Sequence, residues 1–203
     1  NTPRPASKSV VGEIILKYYG MATHYVGLHF RPYDTYIFPP VIKQSIRHAL
    51  PADHGHITVY LPAHHHNGIK RILKEISPVK VHWFLPGITS ISHEDNITFF
   101  PISQAKFDES LIYCHGIVTG GGFETPAEAL HLHKKLLCIP ITDQYEQQCN
   151  AAALELLGIR IMKELNEDTK NVFFDWVWGP RTEIEMPAND IDQTLSYLLN
   201  SVA

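Results

Sequence analysis

GIVTGGGFETPAEALHLHKKLLCIPITDQYEQQCNAAALELLG, residues 116–158, decides the fold. A short apolar run, Gly116 to Thr119, leads into Gly120, Gly121 and Gly122. The following Thr125-Pro126-Ala127-Glu128 predicts a helix start, with Thr125 at the cap, Pro126 at the first position and Glu128 at the third. A second apolar run, Leu136 to Ile139, closes at Pro140, and a helical pattern from about Gln144 to Leu157 stops at Gly158. The unit is strand, glycine turn, helix, strand, loop, helix.

That order carries a chemical expectation. Glycines after a strand let a ligand approach the backbone closely, and the free N–H groups of the next helix terminus favour an anion. In open α/β sheets such loops lie at the ligand-binding ends of the strands. Glu128 falls in the first turn beside that crevice, and its two oxygens could accept from both hydroxyls of a ribose. The plainer alternative is a glycine-rich connection with an ordinary capping box.

The stretch resembles the donor-binding half of nucleotide-sugar glycosyltransferases of the GT-B fold, in particular the peptidoglycan UDP-GlcNAc transferase and UDP-glycosyltransferase families. The Thr125–Glu128 and Glu128–Pro140 spacings match the former. Glu146, Gln147, Asn150 and Ala151 match the acidic-Gln-x-x-Asn-Ala ending of the plant UDP-glycosyltransferase box, and Gln148 completes the paired glutamines. Three places depart from the pattern, the first being that the paired glutamines stand one residue short before Asn150. Gly120 stands where the plant box has a histidine, and the first βα turn, Leu61 to Gly68, lacks the usual glycines.

The resemblance implies an α/β fold with a doubly wound, Rossmann-like parallel sheet, one half of a GT-B enzyme. It implies a metal-independent hexosyltransferase-type reaction with a UDP-linked sugar as donor, no separate cofactor, and an acceptor that the sequence does not identify. Under it Glu128 holds the ribose; Gly120, Gly121, Gly122 and Thr125 surround the diphosphate; Gln147, with Gln148 or Glu146, meets sugar hydroxyls; and Ile102 touches the base. The catalytic base belongs to the other domain in such enzymes, so none is assigned. A UDP-sugar epimerase of similar architecture and a non-catalytic nucleotide-sugar-binding module are the alternatives.

Residues 1–40 are read as the tail of an acceptor domain with its linker, and 41–203 as the donor domain. On that division these 203 residues would bind nucleotide but transfer no sugar, and the face toward the other domain would be apolar and open to self-association. A net charge of −4 argues against a polyanion-binding surface, so no nucleic acid is expected. No apolar run approaches the roughly 20 residues of a membrane span. Cys114, Cys138 and Cys149 form no CxxC pair and sit in apolar or helical contexts, as reduced thiols of a cytoplasmic protein would. His64-His65-His66 reads as a loop, because consecutive residues rarely converge on one metal.

Elsewhere, helices are expected over Val10–Tyr19 (stopped by Gly20), Val41–Leu50, 67–76, Phe107–Cys114 and 190–201 (capped by Asp190). Strands are expected at His24–Phe30, His56–Leu61, Val79–Leu85, Ile97–Phe100 and Ile159–Met162. Residues 31–40 read as an extended linker and 88–95 as a polar loop. Trp176 and Trp178 read as packing residues.

Overall fold

The structure, a computed structural model, describes residues 2–19, 21, 23–184, 186 and 191–202. The stop assigned to Gly20 and the cap assigned to Asp190 lie outside the described residues. In chain order the elements are α1 (Val10–Tyr18), β1 (Gly27–Leu28), β2 (Ile37–Phe38), α2 (Gln44–Arg47), β3 (Ile57–Tyr60), α3 (His66–Glu75), β4 (Val81–Leu85), β5 (Ser92–Glu94) and β6 (Ile97–Pro101). They continue with α4 (Gln104–Tyr113), β7 (Gly116–Thr119), α5 (Glu124–His131), β8 (Lys135–Cys138), α6 (Tyr145–Leu156), β9 (Arg160–Ile161), α7 (Lys170–Trp178) and α8 (Ile191–Val202).

The main sheet runs β5-β6-β4-β3-β7-β8-β9. Every pairing in it is parallel except β5 with β6. From β3 the chain moves outward through β4 to β6, then crosses back to β7 and proceeds the other way. Strand order therefore reverses between β3 and β7, the place where doubly wound sheets open a crevice at the strands' C-terminal ends. Helices cover both faces, which is why β3, β7 and β8 are buried almost throughout. One face carries Ile57, Val59, Val81 and Trp83 against Ile72 and Leu73 of α3 and Phe173 of α7. The other carries Ile117, Leu136 and Cys138 against Leu111, Ala127 and Leu154.

Several local expectations are corrected. Residues 88–95 contain β5, an antiparallel edge strand held by its pairing with β6. The 24–30 strand shrinks to β1, and the supposed linker supplies its partner β2. The Val41–Leu50 helix is only α2, although its apolar spacing survives in the buried Ile42 and Ile46. Helix α5 begins at Glu124, so Thr125 lies inside its first turn and caps nothing. His133 sits beyond that helix with φ of 54°. Helix α7, which the sequence reading does not include, buries Phe173, Trp176 and Val177 along one side. Phe30, within the 1–40 segment, is fully buried in the same cluster as Ile117 and Ala127.

Candidate functional site

The turn after β7 is shaped by α6. Gly121 donates its N–H to Gln147 Oε1 at 3.1 Å, and its carbonyl accepts from Asn150 Nδ2 at 3.1 Å. Gln147 and Asn150 are one helical turn apart, so both reach Gly121 from one face of α6. Gln147 Oε1 also accepts from Ile141 N–H at 3.1 Å, which ties the loop after β8 to the same point. The close approach requires glycine: a Cβ on Gly121 would lie 2.5 Å from the Gln147 carbonyl oxygen. At Gly120 a Cβ would meet Gln147 Oε1 at 3.2 Å, whereas at Gly122 it would meet nothing within 4 Å. Gly122 is therefore the glycine that faces open space. Helix α5 follows directly, and no side chain caps its N-terminus, which leaves its first-turn N–H groups to solvent or a ligand.

Glu128 lies one turn into α5, nearly buried at 6% exposure. Its Oε2 accepts from Lys43 Nζ at 3.0 Å, and the same ammonium is 2.7 Å from Asp108 Oδ1 on α4. Asp108 is fixed further by Ser45 Oγ at 2.8 Å and Gln104 Nε2 at 2.7 Å. One ammonium thus serves two carboxylates. Burial raises the Glu128 pKa above its ordinary value; Lys43 opposes this, while Asp108 and Glu124 add to it. At Lys43 burial pulls the pKa down, but the two carboxylates together outweigh it and the net shift is upward. These directions agree physically, because Lys43 has two opposite charges beside it and Glu128 has only one.

Glu128, Thr125 and Ile102 line one cavity of about 230 Å³ together with Lys43 and the rings of Tyr60, Phe84 and Phe107. The remaining residues singled out from the sequence are placed elsewhere. Gln147 spends its Nε2 on Gln144 Oε1 at 2.6 Å, Gln148 Nε2 donates to the Thr142 carbonyl, and Glu146 is exposed. Gln148 lines a separate opening with Pro5, Ser7 and Thr142. In the first βα turn His64 is half-buried with Nδ1 unpartnered, and burial lowers its pKa. Among the described residues no group of three or more His, Cys, Asp or Glu side chains is placed to hold a metal ion.

Lys43 and Asp108 escaped the sequence reading. Lys43 and Glu128 are 85 positions apart, and nothing local marks either lysine or aspartate as a partner. Asn150 was visible as part of a motif, but its hold on Gly121 was not.

The family profile described as glycosyl transferase family 1 matches residues 7–177. No curated protein gives a significant match. Among solved structures, spinosyn forosaminyltransferase SpnP superposes with a TM-score of 0.54 at 16% identity, over 84% of this chain and 52% of that one. A UDP-glucosyltransferase from Polygonum tinctorium, capable of glucosylating indoxyl, gives 0.51 at 15% identity over 84% and 44%. The glycosyltransferase of kitacinnamycin gives 0.50 at 15% over 81% and 44%. At these identities the likeness is one of fold, and the chain spans about half the length of the structures it matches. With 7–177 covered by one family profile and a GT-B-type Rossmann-like sheet beneath it, the chain belongs to glycosyl transferase family 1.

Proposed function

We propose that this chain is the donor-binding part of a glycosyltransferase that takes its sugar from a nucleotide-diphospho-sugar, with UDP as the nucleotide. The observation that carries the reading is Glu128 in its cavity. Lys43 occupies Oε2, and Oε1 receives no hydrogen bond among the described residues, so it can accept from a ribose hydroxyl. A second hydroxyl can share Oε2 with Lys43, since each carboxylate oxygen offers two acceptor sites. Ile102 and the rings of Tyr60, Phe84 and Phe107 supply apolar walls for a base.

The diphosphate would sit where α5 begins. Gly122 leaves room, and the uncapped first-turn N–H groups supply donors, except at Pro126, which has none. Donors fixed in advance stabilise charge as it develops on the leaving diphosphate. Gly120 and Gly121 shape this turn, and Gly121 has its own N–H committed to Gln147. Gln147 would meet a sugar hydroxyl by exchanging its bond to Gln144, with Glu146 and Gln148 as neighbours. We assign no acceptor and no base. The exposed apolar side chains of α1, including Val10 at 74% and Ile14 at 52%, offer a face for a second domain or a second copy. No helix among the described residues is long and apolar enough to cross a membrane.

The test is calorimetric. UDP should bind, 2′,3′-dideoxy-UDP should bind more weakly, and Glu128→Gln should weaken UDP by about 1.5–3 kcal/mol, the range for a hydrogen bond to a charged group. Equal affinity for the two nucleotides would remove Glu128 from the ribose.

A further inference from the structure

A second cavity, of about 360 Å³, lies on the same sheet face as the Glu128 cavity, beneath the other end of α4. The two are separate. Phe100 lines this one, and Phe84 and Phe107 line the other. The Phe84 and Phe100 rings stack at 5.0 Å, and Phe107 meets Phe84 edge-on at 5.2 Å. This aromatic wall divides the space under α4.

The sheet face here is polar where a covered parallel sheet is ordinarily apolar. His56, Thr58 and His82 face α4, and Ser110 of that helix organises all three. Its Oγ lies 2.8 Å from Thr58 Oγ1, 3.0 Å from His82 Nδ1 and 3.1 Å from His56 Nε2. The Ser110 carbonyl, which can only accept, is also 3.1 Å from His56 Nε2, so that nitrogen carries a proton. Each imidazole is thereby fixed through one ring nitrogen. The rings stack at 3.9 Å, and the second nitrogen of each has no protein hydrogen bond among the described residues. Around them stand Lys80, which has no ion pair among the described residues, and Lys106, paired with Glu109 on the exposed side of α4. His54 stacks on Tyr113 at the rim.

Two ammonium groups and three imidazoles thus converge with one carboxylate, in a chain of net charge −4. The volume lies near the low end of small-molecule pockets, about 300–1,000 Å³. We propose that this cavity is a second ligand site, taking a small oxyanion that carries one ring, of the phosphate monoester class. The oxyanion would lie between Lys80, Lys106 and the free imidazole nitrogens, and its ring against Phe100 and Tyr113. The site is independent of the nucleotide reading above.

Protonation supports the same assignment. Burial holds the pKa of His56 down at about 4 and lowers that of His82, so both are neutral without a ligand at pH 7. A bound oxyanion favours their protonated forms, so binding is coupled to proton uptake by the imidazoles. His54 and Tyr113 also line the cavity; of its charged groups Lys80 and Lys106 are cationic, and the Glu109 carboxylate favours protonated His82.

The experiment is an NMR titration of the histidine ring protons with phenyl phosphate, repeated on Lys80→Ala, Lys106→Ala and Glu128→Gln. Saturable shifts of His56 and His82 are expected. Each lysine change should weaken binding roughly two- to five-fold, the scale of an exposed charge contact. Glu128→Gln should leave affinity unchanged, and saturating UDP should not displace the ligand. Absence of a saturable shift, or lysine variants that bind as tightly as the parent, would overturn the site. Displacement by UDP would also overturn it, by placing the phosphate in the Glu128 cavity.

Discussion

The glycine turn and the Glu128 cavity are joined by a single helix, α5, yet they are held together by opposite kinds of chemistry. At the turn, neutral amides do the holding: Gln147 and Asn150 take the N–H and C=O of Gly121. In the cavity, the contacts are ionic: Lys43 lies between Glu128 and Asp108. Neutral dipoles fix geometry without regard to pH. A shared ammonium makes the cavity sensitive to any change in its charges. Shape and charge are therefore set separately in this site, and each can be disturbed without the other.

The sharpest way to break the turn alone is Gly121→Ala. Its Cβ would press on the Gln147 backbone at 2.5 Å, which neither side can yield cheaply. A loss of about 2–3 kcal/mol is expected from such overpacking, read by urea denaturation. Gly122→Ala is the control, with open space around its Cβ and a change within about 0.5 kcal/mol. Equal losses at both glycines would mean that α6 does not brace the turn.

Lys43→Met breaks the cavity alone. It leaves Glu128 and Asp108 facing each other without a cation, with Asp108 still bonded to Ser45 and Gln104. Because Lys43 is partly exposed, the cost should be about 1–2 kcal/mol, below that of a fully buried pair. Lys43→Arg should restore most of it. A methionine variant as stable as the parent would show that the ammonium contributes nothing.

Gln147→Ala should cost less, about 1 kcal/mol, because water can reach Gly121 and Ile141 once the amide is gone. Circular dichroism melts can check this. The loss should not change between pH 5 and 8, since no titrating group takes part.

The smallest effect distinguishes the two regions by pH. Glu128 has its pKa raised by burial, so the folded state holds that proton more tightly than the unfolded chain does. Its contribution to stability is therefore most favourable below the ordinary glutamate value of 4.5 and declines as pH rises through the raised one. Ribose binding has the opposite sign, because it needs the carboxylate. UDP affinity should fall with acid beginning at a higher pH than an ordinary glutamate would give, and Glu128→Gln should abolish that limb of the profile.

The sequence made legible what local signals specify. β7 was read to the residue, and α6 with its Gly158 stop nearly so, because apolar runs and glycines mark them directly; Gly158 has φ of 85°. The family resemblance drew attention to Glu128 before its cavity was known. What stayed hidden depends on partners far along the chain. β5 has only three residues, and its strand state exists through its register with β6. Lys43 looks like any helical surface lysine until α2 is laid against α4 and α5. The Gln147 pattern was visible, but whether its amide faces a sugar or its own backbone depends on how close the turn comes, and spacing does not report that.

Gly121 has a further consequence for motion. Both of its peptide groups are bonded to α6, and Ile141 shares the same glutamine oxygen, so the turn cannot open while the first turns of that helix stay docked. The glycine turn, the loop after β8 and the start of α6 form one cooperative opening unit. In hydrogen exchange the amides of Gly121 and Ile141 would then share a single protection factor, set by the detachment of a helix and not by the fraying of a loop.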